Sequence, residues 1–587
     1  MEDPTAVVNP PISKRELLAH YLRPQRGRVV LLAILLITGT LLQLLNPRLL
    51  QAFIDAASAH AGDQRLLTYA LLFIGVAVSQ QIFAVVATYL SERVAWTATN
   101  SLRSDLALHC LRLDLSFHKE RTPGELIERI DGDVTALAGF FSKFVIQILG
   151  SLLLLIGVLI ALWVVDWRVG AALTVFAVVS LLAIISVRSL AIPYWRADRQ
   201  ASAALFGFIE ERLAGTVDIR ANGARPYVMR RLYHHTRERL RAGNKARLFG
   251  SVTWSVPVLA VAIGNGLALV LAGSLYRNGG ISLGTAFVIY YYTQLLFQPM
   301  HLISSQIDDF QKAGAGYIRI QDLLRVKSSL IDGARGLIPN GPLAVEFQQV
   351  SFGYDEGDLT ARDLSFRIEP GHVLGLLGRT GSGKTTITRL LLRLYDPCAG
   401  SITLGGVELR AAHRADIRRA VGMVTQDVQL FRATVRDNLT FFDRSIDDAR
   451  IMAALADLGL TEWYGALPNG LDTMIGSGGD GLSAGEAQLL AFTRVFLRNP
   501  SVVILDEASS RLDPATERLL ERAVEKLLRG RTGIIIAHRL ATVRRVDEIL
   551  ILEHGRPVEY GPREALVHDH GSRFAGLLRA GIEEVPA

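Results

Sequence analysis

The residues most able to do chemistry sit in the run Gly378-Arg379-Thr380-Gly381-Ser382-Gly383-Lys384-Thr385-Thr386. It follows an apolar strand, Val373 to Leu377, and precedes a helix expected over Thr386 to Leu394. This is the phosphate-loop pattern G-x-x-x-x-G-K-[ST] in its strand–loop–helix setting. Glycines let successive backbone N–H groups curl around a polyphosphate, Lys384 supplies a point charge for the outer phosphates, and the Thr385 hydroxyl suits Mg²⁺. A second apolar strand, Ser501 to Leu505, ends in Asp506-Glu507. A carboxylate at a strand tip can hold the shell of Mg²⁺, and its neighbour can polarise an attacking water. A third strand, Gly533 to Ala537, ends in His538, placed to meet a γ-phosphate. Three strand ends carrying this set read as a nucleoside triphosphate hydrolysis site, since such sites gather where parallel strands end.

The elements that position this set occupy less than half of the 587 residues. Half the residues are hydrophobic and mean hydropathy is +0.28, a value set by the first three hundred positions. Apolar runs lie near Val29–Leu45, Leu66–Leu90, Phe140–Val165, Val169–Val187, Val252–Leu275 and Leu283–Ile303. Each approaches the roughly 20 residues that cross a bilayer core. The net charge of +7 is placed asymmetrically. Basic residues crowd the segment before the first run and the long segments after the second and fourth, whereas the intervening short loops hold only Arg48, Arg65, Arg168 and Arg277. By the positive-inside rule, both termini and the nucleotide domain are expected in the cytoplasm, and the basic excess calls for no nucleic acid. Cys110 and Cys398 both fall on that side, so no disulfide framework is expected.

The expected organisation is a cytoplasmic N-terminal segment over 1–28, a transmembrane domain over 29–320, a linker over 321–343 and a nucleotide-binding domain over 344–587. The fold class is a multidomain membrane protein, with an all-α six-helix transmembrane domain followed by an α/β P-loop domain.

Further motifs make the sequence similar to the ATP-binding cassette family, specifically its exporter-type half-transporters. Tyr354, in Phe352-Gly-Tyr354, matches the aromatic that stacks on adenine. Gln426, in Val424-Thr-Gln426-Asp427, matches the glutamine that meets Mg²⁺ and water. Leu482-Ser483-Ala484-Gly485-Glu486 occupies the signature position, and Asp513 ends the loop expected at a dimer interface. The resemblance implies ATP and Mg²⁺ as ligands, with Thr385, Gln426 and Asp506 around the metal and Glu507 and His538 catalytic. It also implies two cassettes closing on ATP, with Ser483 and Gly485 reaching the γ-phosphate bound by the partner. The segments Thr122–Asp133 and Leu213–Gly223 resemble the coupling helices that dock on cassettes.

Two departures stand out. The usual signature Leu-Ser-Gly-Gly-Gln carries Ala484 and Glu486 here, and Ser477 stands where exporters usually have Glu. With the phosphate loop, Glu507 and His538 intact, this suits one half of a heterodimer; a homodimer is the alternative. Cargo is the least legible feature. The spans hold few charges but several uncharged polar groups: Gln43, Asn46, Gln81, Gln147, Asn265, Tyr290 to Tyr292, Gln294 and Gln298. These suit an amphipathic lipid, drug or peptide, or else bond neighbouring helices. Export or lipid flipping, import on an exporter fold, and an ATP-gated channel or regulatory subunit are the functions left open.

Overall fold

The computed structural model describes residues 14–305, 307–333, 338–355, 357–476, 482–506, 514–537 and 543–579. Two compact units result: a helical one, Met1–Leu111 with Pro123–Val326, and an α/β one, Arg112–Thr122 with Lys327–Ala587.

The helical unit runs α1 (Lys14–Leu22), α2 (Arg26–Ser58) and α3 (Asp63–Arg112). Two short helices follow, α4 (Leu115–Glu120) in the other unit and α5 (Pro123–Ile127), then α6 (Val134–Lys143) and α7 (Gly150–Val165). The rest are α8 (Trp167–Ala214), α9 (Thr216–Ala221), α10 (Arg225–Arg277), α11 (Leu283–Ser305) and α12 (Ile307–Arg325). At 1.5 Å per residue, the 50 residues of α3 rise about 75 Å, well beyond a ~30 Å hydrocarbon core. The 48 of α8 and 53 of α10 project equally far. Between α7 and α8 the chain reverses at Asp166, whose carboxylate caps α8 by accepting from the Arg168 N–H at 2.8 Å. The projecting parts of α8 and α10 are joined by Tyr194 and Phe249, stacked at 3.8 Å.

Five helical stretches among the described residues are long and apolar enough to cross a membrane: Ala19–Ser58, Asp63–Arg112, Ile146–Val165, Trp167–Ala214 and Arg225–Arg277. The sixth expected run forms helix α11, but three tyrosines, two glutamines and Thr293 dilute its apolar character. Leu67, Leu71, Ile82, Val175 and Leu182 are each more than half exposed. So much apolar surface needs hydrocarbon as its solvent, and helices satisfy their own backbone groups there. The chain is a multi-pass membrane protein.

In the α/β unit, β1 (Val345–Phe352), β2 (Ala361–Ile368), β4 (Ala399–Leu404) and β5 (Val407–Glu408) form an antiparallel sheet in the order β2-β1-β4-β5. The second sheet takes β3 (Val373–Gly378), β6 (Val421–Val424), β7 (Val502–Asp506), β8 (Thr532–Ile536), β9 (Glu548–Glu553) and β10 (Arg556–Pro562). Its order is β10-β9-β3-β8-β7-β6, parallel throughout except at β10. Strands β3, β7 and β8 are buried along nearly their whole length, as expected of a parallel sheet covered on both faces. Around it lie α13 (Lys384–Leu391), α14 (Arg414–Ala420), α15 (Val435–Thr440), α16 (Asp448–Asp457), α17 (Thr461–Gly465), α18 (Ala484–Arg498) and α19 (Pro514–Leu528).

The segment Arg112–Thr122 belongs to this unit. Asp114 fixes it: the carboxylate accepts from Ser328 Oγ at 2.5 Å, Ser329 N at 2.6 Å and Ser329 Oγ at 2.8 Å. Residues 123–133 pack instead within the helical unit, where Asp131 pairs with Arg103 at 3.0 Å and the buried Asp133 accepts from Arg319 Nε at 2.8 Å. Carboxylates in such numbers anchor a segment to whichever guanidinium or N–H donors face them, which helical spacing alone does not reveal.

Candidate nucleotide site

The site begins with strand register. Leu376 of β3 lies opposite Ile536 of β8, and Ile536 lies opposite Asp506 of β7. Val424 of β6 lies opposite Leu505. The carboxyl ends of four parallel strands therefore fall side by side, bringing the phosphate loop, Gln426 and the buried Asp506 to one edge of the sheet. In sequence Glu507 follows β7 directly and His538 comes two residues after the end of β8, but both lie outside the described residues, as does Asp513.

The loop itself leaves β3 at Gly378 and enters α13 at Lys384. Gly378, Gly381 and Gly383 have φ of 148°, 81° and 103°. A Cβ on Gly378 would strike the Leu552 carbonyl and come 2.6 Å from Ser382 Oγ, and one on Gly383 would come 2.9 Å from the Thr360 carbonyl. Only glycine fits this cradle. Helix α13 starts two residues before the expected Thr386, because Lys384 and Thr385 already adopt helical geometry. Lys384 is buried and donates Nζ to the carbonyls of Gly378 at 2.6 Å and Arg379 at 3.1 Å, so its ammonium lies across the loop. Ser382 Oγ is buried with no hydrogen-bond partner among the described residues. An orphaned hydroxyl beside a glycine cradle fits a phosphate oxygen, which would supply the missing acceptor. Arg379, Thr380 and Thr385 are exposed, and Thr386 is buried. Thr385 and Asp506 offer the hard oxygen donors that suit Mg²⁺, and bound phosphates would complete its shell.

Tyr354 follows β1 and closes the site from the side. Its hydroxyl lies 3.2 Å from Thr386 Oγ1 and accepts from Arg389 Nη1 at 3.0 Å. Phe352 and Tyr395 stand nearly perpendicular to the ring, at 5.0 and 5.3 Å. Lys119, from α4, holds its Nζ 4.7 Å from the ring centre, a cation–π contact. Neither Lys119 nor Arg389 is legible as a site residue from sequence, since no motif links position 119 to 354. The nearest signal in the sequence is the place of Arg389 on α13, five residues after Lys384. If the ring stacks on a base, Tyr354→Ala should weaken ATP binding by roughly 5- to 150-fold, because one such stack is worth ~1–3 kcal/mol. Tripolyphosphate binding should not change; equilibrium titration of the full-length protein with both ligands checks this.

At the signature, Ser483 caps α18, and Gly485 is buried in its first turn. Glu486 folds back: its Oε2 accepts from Ser483 N at 2.7 Å and Ser483 Oγ at 2.7 Å, while Glu486 N donates to Ser483 Oγ at 3.3 Å. This is a capping box, and the S-x-x-E spacing announces it in the sequence. The carboxylate that looked misplaced beside phosphate is thus the helix's own cap, with Ala484 between the two. Ten residues after Ala484, Arg494 is buried and donates to the carbonyls of Asn438 at 2.6 Å and Gln429 at 2.9 Å. Burial pushes its guanidinium down to about 10, and it ties the signature helix to the segment that follows Gln426.

Comparison with known proteins bears on this geometry. The profile of the ABC transporter transmembrane region matches residues 29–300, and that of the ABC transporter nucleotide domain matches residues 361–510. A fatty acid ABC transporter ATP-binding/permease protein of Mycobacterium bovis is 30% identical over 471 residues, covering 80% of this chain and 74% of its own. The chain belongs to the ABC transporter family. It is an ABC transporter with fused membrane and ATP-binding domains, and the ATP-binding domain makes it an ATP-hydrolysing transporter. A Lactococcus lactis multidrug resistance ABC transporter ATP-binding and permease protein is 28% identical over 91% of this chain and 90% of its own. The solved structure of a bacterial Atm1-family ABC exporter with ATP bound superposes with a TM-score of 0.78 at 25% identity, over 95% of this chain and 99% of that one. The transporter is therefore of the exporter type.

Proposed function

We propose that this ABC transporter exports or flips an amphipathic or hydrophobic cargo by alternating access across six spans, as one half of a dimer and in particular of a heterodimer. Both termini and the nucleotide domain are cytoplasmic in this reading. Tyr354 stacks on adenine, residues 378–386 cradle the phosphates, Thr385, Gln426 and Asp506 hold Mg²⁺, and Glu507 and His538 act on the γ-phosphate. Leu213 and Val217 flank the bend at α9 and are 69% and 79% exposed, which suits docking of Leu213–Gly223 on a cassette. The membrane helices supply a two-state element that ATP biases.

The observation that carries the heterodimer is the capping box. A serine hydroxyl has one proton to give, and the Ser483 proton already goes to Glu486. The carboxylate also brings negative charge to the helix end that would face a partner's γ-phosphate. At ~5 Å and an effective dielectric constant of 20, two unit charges repel by about 3 kcal/mol. This chain thus offers a weak signature while its own hydrolytic residues are intact, so a partner with a neutral signature residue would complete the strong site. Glu486→Gln keeps an acceptor for the cap and removes the charge. In assemblies of this chain alone, it should raise ATP turnover about 10-fold, the effect of ~1.4 kcal/mol. Unchanged or reduced turnover in the variant would remove the argument for a heterodimer.

A further inference from the structure

Within the helical unit, α2, α3, α7 with the residues just before it, and α11 enclose a cleft of about 310 Å³. That is the lower end of the ~300–1,000 Å³ typical of small-molecule sites. Its walls are leucine, phenylalanine and isoleucine, yet four glutamines line it: Gln43, Gln80, Gln147 and Gln298, one from each side. None of the described residues that line it is ionisable. Asn46, one turn beyond Gln43, is buried and donates Nδ2 to Gln80 Oε1 at 3.4 Å, while its own Oδ1 is buried with no partner among the described residues. Gln147 lies in a wide-turned stretch, Phe144–Leu149, and such π-type insertions re-aim side chains and concentrate at functional sites. Gln81, which the sequence singles out, is exposed on the outer surface; Gln80 is the residue that faces inward.

Each carboxamide offers two N–H donors and one carbonyl acceptor. At membrane depth an ion entering this cleft would lose its water and find no countercharge among the described residues, whereas neutral donors and acceptors would find partners in pairs. We propose that the cleft recognises an uncharged amphipath whose head group carries several hydroxyl or amide groups, with its tail along the apolar wall. The cleft's place on the cargo path rests on the transport reading above; its selectivity for neutral, hydrogen-bonding head groups rests on the lining alone.

The test uses the full-length protein in lipid nanodiscs and three fluorescent amphipaths that share one twelve-carbon chain and differ only in head group: glucosyl, trimethylammonium and sulfate. The glucosyl probe should bind at least 10-fold more tightly than either charged one. Gln43→Leu with Gln298→Leu should lose about 10-fold for the glucosyl probe alone, and Gln147→Glu should turn the preference toward trimethylammonium. Charged probes binding as well as the glucosyl one would overturn the inference. So would indifference of the glucosyl probe to the leucine variants, or binding of none of the three, as when a partner's helix fills the cleft. Selective binding that leaves ATP turnover untouched would uphold the inference and remove the cleft from the transport cycle.

Discussion

Lys384→Ala should abolish nucleotide binding at micromolar ATP, a loss of about 100-fold in affinity. The ammonium lies buried across the loop on the carbonyls of Gly378 and Arg379, so it is already positioned and desolvated before any phosphate arrives. Charge-assisted bonds to phosphate are roughly twice as strong as neutral ones, and losing about 2.8 kcal/mol corresponds to that factor. Alanine also strips the two loop carbonyls of their donor, so the cradle itself loosens. Lys384→Met removes the same donor but keeps most of the stem, so it separates loss of the charged donor from loss of the packed side chain. Fluorescent ATP titration of the purified protein should show both variants weakened, with thermal unfolding nearly unchanged for methionine. ATP binding within 3-fold of wild type in both variants would detach Lys384 from the phosphates.

Glu507→Gln should leave ATP binding intact and lower turnover at least 100-fold, since a positioned general base contributes ~10²–10⁴ to rate. Position in the fold is the reason to expect a large effect. Asp506 ends β7 beside the ends of β3 and β8, and Glu507 is the next residue in sequence. Binding without turnover should hold the two cassettes closed on ATP, so the variant should accumulate a cross-linkable, ATP-dependent closed dimer that the wild type shows only transiently. Turnover within 10-fold of wild type would assign the base elsewhere.

Much of this was written locally. The phosphate loop is readable because its glycines are demanded by backbone geometry within nine residues. The spans are readable because a bilayer imposes length and hydropathy on each helix separately. What escaped the sequence depends on contacts between distant positions. Lys119 meets Tyr354 across 235 positions of chain, and Asp114 captures Ser328 and Ser329 in the same way. Gln80 and Gln81 are equivalent until the packing of α3 shows which one faces α2. The antiparallel sheet from Val345 to Glu408 is legible only as alternation, which does not name its partners. The Glu486 cap is the opposite case: its spacing was in plain view, and only the habit of reading that position as part of a nucleotide motif concealed it.

The most direct measurement is ATP turnover by the full-length chain purified alone in lipid nanodiscs, beside Glu507→Gln and Glu486→Gln. The account predicts slow turnover, abolished by Glu507→Gln and raised about 10-fold by Glu486→Gln. Turnover that persists at the wild-type rate in Glu507→Gln would contradict it.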